Sequence, residues 1–281
     1  MEKAIKKYFP VFALPTLVAF TIGFIVPFIM GIYLSFCEFT TVTDAKFVGL
    51  KNYLRVFSDS TFMHALWFTA LFTIVSVLTI NVFAFVIAML LTKGIKGTNF
   101  FRTVFFMPNL IGGIVLGYIW QILLNGILGH FGRTLTYSSS YGFWGLIILM
   151  NWQQVGYMMI IYVAGIQNIP GELIEAAKID GATAGQSFWK IILPVSKPGI
   201  VTACIFLVIN SWNELLFANL LNQSDSSRTI QVAIRSFLTT FEANYAYAFA
   251  AMVISILPTI IIYALLTDRI IGGMTAGAVK G

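Results

Sequence analysis

Glu214 needs an explanation first. It lies in the apolar run SWNELLFANLL, residues 211–221, and a charged side chain near the centre of a lipid-embedded helix costs roughly 2.5–3.5 kcal/mol or more. Asn210, Asn213 and Asn219 accompany it. A helix through this run sets Asn210, Asn213 and Glu214 on one face, at i, i+3 and i+4. Further amides stand in other apolar runs: Asn81, Asn109, Gln121, Asn151, Gln153 and Gln154, with Trp120, Trp152 and Trp212 beside them. Amides next to aromatic faces suit a sugar, whose hydroxyls need donors and acceptors and whose C–H faces stack. The competing reading is hydrogen bonding between helices, under ~1–2 kcal/mol each. That reading fits any one amide taken alone, whereas the cluster on the fifth apolar run points to a solute path. Asn81, Gln121, Asn151, Gln153, Asn210, Asn213 and Glu214 are the candidates for it. One acid without acidic or basic partners makes a poor proton relay.

The remaining reactive side chains suggest no catalysis. His64 and His130 fall at the edges of apolar runs without convergent Asp or Cys ligands, and Cys37 and Cys204 have no metal-ligand spacing around them. Two small buried hydrophobes is the simpler account of the cysteines. No G-x-x-x-x-G-K-[ST] phosphate loop is present. The pI near 9.3 comes without a basic groove interleaved with aromatics, which argues against nucleic acid.

The elements that must hold these residues follow from composition. The chain has 281 residues, 58% hydrophobic and 10% charged, against roughly 25% charged in soluble domains. Apolar runs at about 10–36, 65–92, 103–125, 142–167, 199–221 and 246–267 are each long enough for a ~30 Å hydrocarbon core. The reading is an all-α polytopic membrane protein with six spans, located in the cell membrane. The first run, behind Lys3, Lys6 and Lys7, exceeds the roughly 7–15 residues of a signal-peptide core and reads as a retained span. Prolines 15, 27, 108 and 258 fall inside or at the ends of spans, where neighbours or water can satisfy the freed carbonyls. With the N-terminus in the cytoplasm, inner segments hold eleven of the seventeen lysines and arginines and outer segments six. The positive-inside rule therefore selects N-in, C-in. Residues 47–63 mix apolar and charged positions and predict an amphipathic helix on the outer interface.

The longest inner loop, 168–198, reads NIPGELIEAAKIDGATAGQSFWKIILPVSKP. Pro170 suits a first helical turn, and Glu172 and Glu175 suit the positive end of the helix dipole. Asp180-Gly181 ends that helix, because glycine accepts the left-handed conformation of a helix end. A second amphipathic stretch carries Phe188, Trp189, Ile191 and Ile192 and is expected to end at Leu193-Pro194. The sequence thus describes two short helices with a sharp bend on the cytoplasmic surface.

The order Glu175-Ala176-Ala177, three residues, Gly181, nine residues, Ile191, one residue, Leu193-Pro194 resembles the EAA loop of binding-protein-dependent ABC importer permeases. FVGLKNY (47–53) and FFMPNLIGGIVLGYIWQILLN (105–125) resemble the larger subunit of sugar and glycerol-phosphate permease pairs. SWNELLFANLL and MTAGAVKG (274–281) are similar to the smaller, maltose-type subunit. The resemblance implies a type I ABC importer permease fold without enzymatic activity or cofactor of its own. ATP would be bound by separate ABC ATPase subunits. They would dock on Glu175, Ala176, Ala177, Asp180, Gly181, Ile191, Leu193 and Pro194. Other partners implied are a second permease subunit or a second copy, an extracytoplasmic solute-binding protein, and the lipid bilayer. The loop 223–244 would face the binding protein and the tail 274–281 the ATPase. The chain divides accordingly into 1–64 (inner tail, first span, outer loop), a transport domain at 65–267, and an inner tail at 268–281. The solute implied is a mono- or oligosaccharide. A polyamine, a phosphate ester such as glycerol phosphate, an ion channel and a membrane-embedded enzyme are the alternatives.

Overall fold

A computed structural model of the chain describes residues 2–39, 41–222, 224–239 and 245–278. Gln223 and residues 240–244 of the expected outer loop, and residues 279–281 of the expected tail, lie outside the described residues. The backbone is almost wholly helical. In chain order it runs α1 (Glu2–Phe20), a π-turn (Thr21–Ile25), α2 (Val26–Ser35), strands β1 (Cys37–Glu38) and β2 (Lys46–Phe47), α3 (Lys51–Ser58) and α4 (Ser60–Leu91). Next come α5 (Thr98–Phe106), a 3-10 turn (Met107–Leu110), α6 (Gly113–Gly129), α7 (Ser139–Gln167), α8 (Gly171–Ile179), α9 (Ala184–Ser187) and a second π-turn (Phe188–Ile192). The chain ends with α10 (Leu193–Trp212), α11 (Leu216–Leu221), a 3-10 turn (Asp225–Ser227), α12 (Ile230–Thr239) and α13 (Tyr245–Ala278). Among the described residues, five helical stretches are long and apolar enough to cross a membrane, six if the bent pair 98–110 and 113–129 counts as one.

The chain forms two compact units, 1–63 with 234–257 and 64–233 with 258–281. In the first, antiparallel β1 and β2 pair Cys37 with Phe47 and Glu38 with Lys46. Asn52 of α3 donates to the backbone oxygens of Ser35 and Cys37 at 2.9 and 2.8 Å. An amphipathic helix expected within 47–63 is present as α3, with Asp59 as its C-cap; the Asp59 carboxylate then caps α4 by accepting from the N–H groups of Thr61 and Phe62. The Tyr247 hydroxyl donates to the same carboxylate at 2.6 Å. This tyrosine stacks edge-on against Phe237 with centroids 4.7 Å apart.

In the second unit α4 runs thirty-two residues without Gly or Pro. Its buried face packs with α7 and α10 into one core, where Phe72, Ile80, Leu146, Leu149, Met158 and Leu207 are fully enclosed. Gly156 is needed there: a Cβ at this position would lie 1.8 Å from the Phe105 carbonyl oxygen, so only glycine lets α5 and α7 approach this closely.

Several sequence expectations need correction. The third run is not one straight span: it bends by 98° between Leu110 and Gly113. Pro108, which has no N–H to donate, sits in the 3-10 turn, and Ile111 is extended. The fifth run breaks after Trp212, with Asn213 as the C-cap of α10, and α11 starts anew at Leu216. The second helix of the loop 168–198 does not end at Leu193-Pro194; α9, the π-turn and α10 are continuous. The π-turn makes this possible. Leu193 N–H bonds back to the Phe188 oxygen, a wider turn that accommodates a proline ring unable to take the regular bond. The first span uses the same device, with the π-turn Thr21–Ile25 just ahead of Pro27. At the C-terminal end α13 remains helical through Ala278.

Candidate functional site

The elbow of 168–198 is assembled from local signals. Ile169 is buried, Pro170 stands as N-cap of α8, and Glu172 lies in its first turn with Lys178 in its last; both charges complement the helix dipole. The end of α8 is closed by Asp180 N–H to Ala176 O (2.9 Å), Gly181 N–H to Lys178 O (3.1 Å) and Ala182 N–H to Ala177 O (2.9 Å). Gly181 has φ +77°, the left-handed region that costs other residues roughly 1–2 kcal/mol. α9 then starts on a reciprocal box: Gln186 N–H donates to the Thr183 hydroxyl at 3.2 Å, and Thr183 N–H to the Gln186 side chain at 2.8 Å.

Burial divides the elbow into two faces. Glu175, Ala176, Asp180, Gly181 and Pro194 are exposed, while Ala177, Ile191 and Leu193 are half-buried. Ile179 is 81% and Trp189 67% exposed, large apolar groups at the tip of the bend. Phe188 points the other way, into the core, where its ring meets Phe85 of α4 at 6.0 Å. Phe85 in turn meets Tyr162 of α7 at 5.2 Å. The elbow thus offers small and apolar groups outward and is wedged by one aromatic ring into the α4–α7 core. Neither Ile179 nor Phe188 stands out in the sequence motif, because their opposite exposures depend on the path of the chain after Gly181.

The polar candidates in the spans make separate hydrogen bonds. The Tyr162 hydroxyl donates to Asn81 Oδ1, and Asn151 Nδ2 donates to Thr79 Oγ1 at 2.9 Å; these are rungs between α4 and α7. Gln121 Nε2 donates to the Leu220 carbonyl at 2.7 Å, joining α6 to α11. Gln154 Nε2 donates to Gln153 Oε1 at 3.4 Å. Asn210 Nδ2 bonds the Phe206 carbonyl of its own helix at 2.8 Å. The expected common face of Asn210, Asn213 and Glu214 is interrupted by the helix break. There, Asn213 Oδ1 accepts from Gln231 Nε2 at 3.1 Å. Glu214 accepts the N–H of Phe217 at 2.6 Å, satisfying a donor that the start of α11 leaves without an intrahelical partner. The break is also tied from above, since the Thr229 hydroxyl donates to Glu214 O at 3.0 Å. Ile230 N–H donates to Thr69 Oγ1 at 2.8 Å. His64 Nε2 lies 2.7 Å from the Ser226 carbonyl and so carries the proton. Thr69, Thr229 and His64 were not legible as partners in the sequence, because each bond spans distant segments.

An outward-facing, glycine-closed elbow set between long apolar helices is the arrangement that comparison with known proteins tests. Residues 56–275 match the family described as binding-protein-dependent transport system inner membrane component. The chain belongs to this family. It is an inner membrane component of an ABC transport system, a multi-pass membrane protein in a family of transport components. It is similar to the "Probable starch degradation products transport system permease protein AmyD" of Thermoanaerobacterium thermosulfurigenes, 37% identical over 244 residues, 83% of each chain. It is also similar to the "Multiple sugar-binding transport system permease protein MsmF" of Streptococcus mutans, 29% identical over 269 residues, 90% of this chain and 92% of the relative. Among solved structures, a chain of a bacterial alginate ABC transporter in complex with alginate pentasaccharide-bound periplasmic protein shares the fold. The TM-score is 0.77 at 21% identity, covering 96% of this chain and 98% of that one.

Proposed function

We propose that this inner membrane component forms the translocation path of an importer for a mono- or oligosaccharide, delivered by an extracytoplasmic binding protein and driven by separate ATPase subunits. Six spans with both termini in the cytoplasm, counting the bent pair as one, place the elbow of 168–198 on the ATPase side. The transport domain comprises 65–267, between the segment 1–64 and the inner tail 268–281. A second permease subunit, or a second copy of this chain, completes the path.

The observation that carries this reading is the two-faced elbow. Glu175, Ala176, Ala177, Asp180 and Gly181 offer a surface of small groups on which another subunit can seat, and Ile191, Leu193 and Pro194 lead from it into α10. Phe188 transmits a push to α4. A sugar is favoured by the charge inventory: α7 carries no Asp, Glu, His, Lys or Arg, and of these types 198–221 carries Glu214 alone. A phosphate ester needs cations along its route, and a polyamine needs carboxylates beyond one already committed to α11. The path candidates divide by their bonds. Gln153 and Asn210, whose side chains bond within their own helices, line it together with Asn213 and Glu214 at the helix break, and Asn81, Gln121 and Asn151, bonded between helices, fix the helices beside it.

The test is ATP-driven uptake of labelled maltooligosaccharides by the assembled transporter in vesicles. The parent is expected to accumulate sugar. Gly181→Trp, with its strained backbone and enlarged docking face, is expected to abolish uptake while assembly in the membrane persists. Uptake without ATP, or unchanged uptake in Gly181→Trp, contradicts the proposal.

A further inference from the structure

The segment from Leu91 to Leu110 carries a feature that solute transport does not use. Arg102 of α5 is half-buried, its Nε is shielded from solvent, and that atom has no hydrogen-bond partner among the described residues. A guanidinium N–H withdrawn from water without an acceptor is costly, and an anion beside it removes the cost. The arginine borders a cavity of about 310 Å³, lined otherwise by Thr103, Phe106, Met107, Leu110 and Ile160. One charged end and an apolar body describe the shape of the missing occupant. The neighbouring charges are all positive: Lys93 and Lys96 are exposed in the preceding loop, and no Asp or Glu occurs between Asp59 and Glu172. Phe100 is also exposed, 68%, as expected for an element at a lipid–water boundary.

We propose that this cavity binds an anionic phospholipid of the cytoplasmic leaflet. Its phosphate pairs with Arg102, and an acyl chain lies along Phe106, Met107, Leu110 and Ile160. Basic recesses between helices at the inner membrane face recognise acidic headgroups in this way. A net-negative lipid is preferred over a zwitterionic one because the segment has no carboxylate to receive an ammonium group. The inference rests on the inner placement of the 92–102 loop proposed above.

The experiment uses the transporter assembled with its partner subunits and reconstituted in phosphatidylcholine with or without phosphatidylglycerol. After mild detergent extraction, retained lipid is identified by native mass spectrometry. The parent is expected to retain phosphatidylglycerol. Arg102→Gln is expected to retain about fivefold less, Arg102→Lys an intermediate amount, and Arg133→Gln as much as the parent. Equal phosphatidylglycerol on parent and Arg102→Gln, or preferential phosphatidylcholine, overturns the proposal. So does loss of a partner subunit from Arg102→Gln with its lipid unchanged, since Arg102 then pairs with protein. Lys96→Cys in a background with Cys37→Ser and Cys204→Ser separates the two readings. Labelling in intact cells by a membrane-impermeant maleimide overturns the orientation and the lipid site with it. Labelling only in inverted vesicles, with lipid retention unaffected by Arg102→Gln, overturns the lipid site alone.

Discussion

The ring of Phe188 meets that of Phe85 edge-on, with centroids 6.0 Å apart and planes at 71°, joining the elbow to a helix about a hundred residues earlier in the chain. Its neighbour Trp189 is exposed, so one turn of helix holds an inward wedge and an outward contact. Phe188→Ala removes the wedge and leaves the docking face intact. ATPase subunits are expected to co-purify normally, while ATP-driven uptake falls roughly five- to hundredfold, the range of a lost coupling of 1–3 kcal/mol. Parallel assays of co-purification and uptake check this, and loss of the subunits themselves would assign Phe188 to docking.

Glu214 predicts a difference between two substitutions. Its carboxylate accepts the Phe217 N–H at the start of α11, a role an amide oxygen can fill and a methyl group cannot. Glu214→Ala is expected to destabilise the helix break by about 1 kcal/mol, as loss of a cap does. Glu214→Gln is expected to remain close to the parent in thermal inactivation. If both variants lose uptake equally at unchanged stability, the charge itself serves transport.

The amides should separate into two classes. Asn81→Ala and Gln121→Ala break bonds between helices. They are expected to lower stability by about 0.6 kcal/mol each with the KM for sugar unchanged. Gln153→Ala and Asn210→Ala, whose side chains bond within their own helices, Gln153 to Gln154 on α7 and Asn210 to the Phe206 carbonyl on α10, are expected to raise KM roughly threefold to tenfold, one hydrogen bond's worth. Uptake kinetics over a range of sugar concentrations distinguish the two classes.

A pH effect is expected outside the spans. Lys51 Nζ donates to Glu38 Oε2 at 2.9 Å, and this bond, with the charge of Lys51, holds the Glu38 carboxyl below its usual range. A depressed carboxyl pKa adds stability above the unfolded-state value and loses it as pH falls through the folded-state value. The pair is exposed, so the effect is small and screened by salt. Glu38→Gln and the parent are expected to differ slightly in thermal stability at neutral pH and low salt, and to coincide in acid or at high salt.

Much of the architecture was legible because each signal was local. An uninterrupted apolar run marks α4, Pro170 and Asp180-Gly181 mark the two ends of α8, and the spacing from Glu175 to Pro194 marks the elbow. The misreadings have physical reasons. Pro194 looked like a terminator, yet a π-turn two residues earlier absorbs it, and Pro27 is absorbed likewise. The break after Trp212 leaves the run as apolar as an unbroken helix; Glu214 signalled that something was there but not that it caps a new helix. The amides showed by type that they could bond, not with which helix. Bonds such as Ile230 N–H to Thr69 Oγ1, 161 positions apart, depend on tertiary packing.

Ile179, at the tip of the elbow and 81% exposed, offers the most direct test of the elbow as a driven lever. Ile179→Cys, in a background with Cys37→Ser and Cys204→Ser, is treated in inverted vesicles of the assembled transporter with a reagent pairing a maleimide and a photoactivatable group. Illumination is expected to join this chain to the nucleotide-hydrolysing subunit, with a yield that changes when ATP is bound. Modification of Ile179→Cys from the outside of intact cells, or a cross-link to lipid alone whatever the nucleotide, would contradict the account.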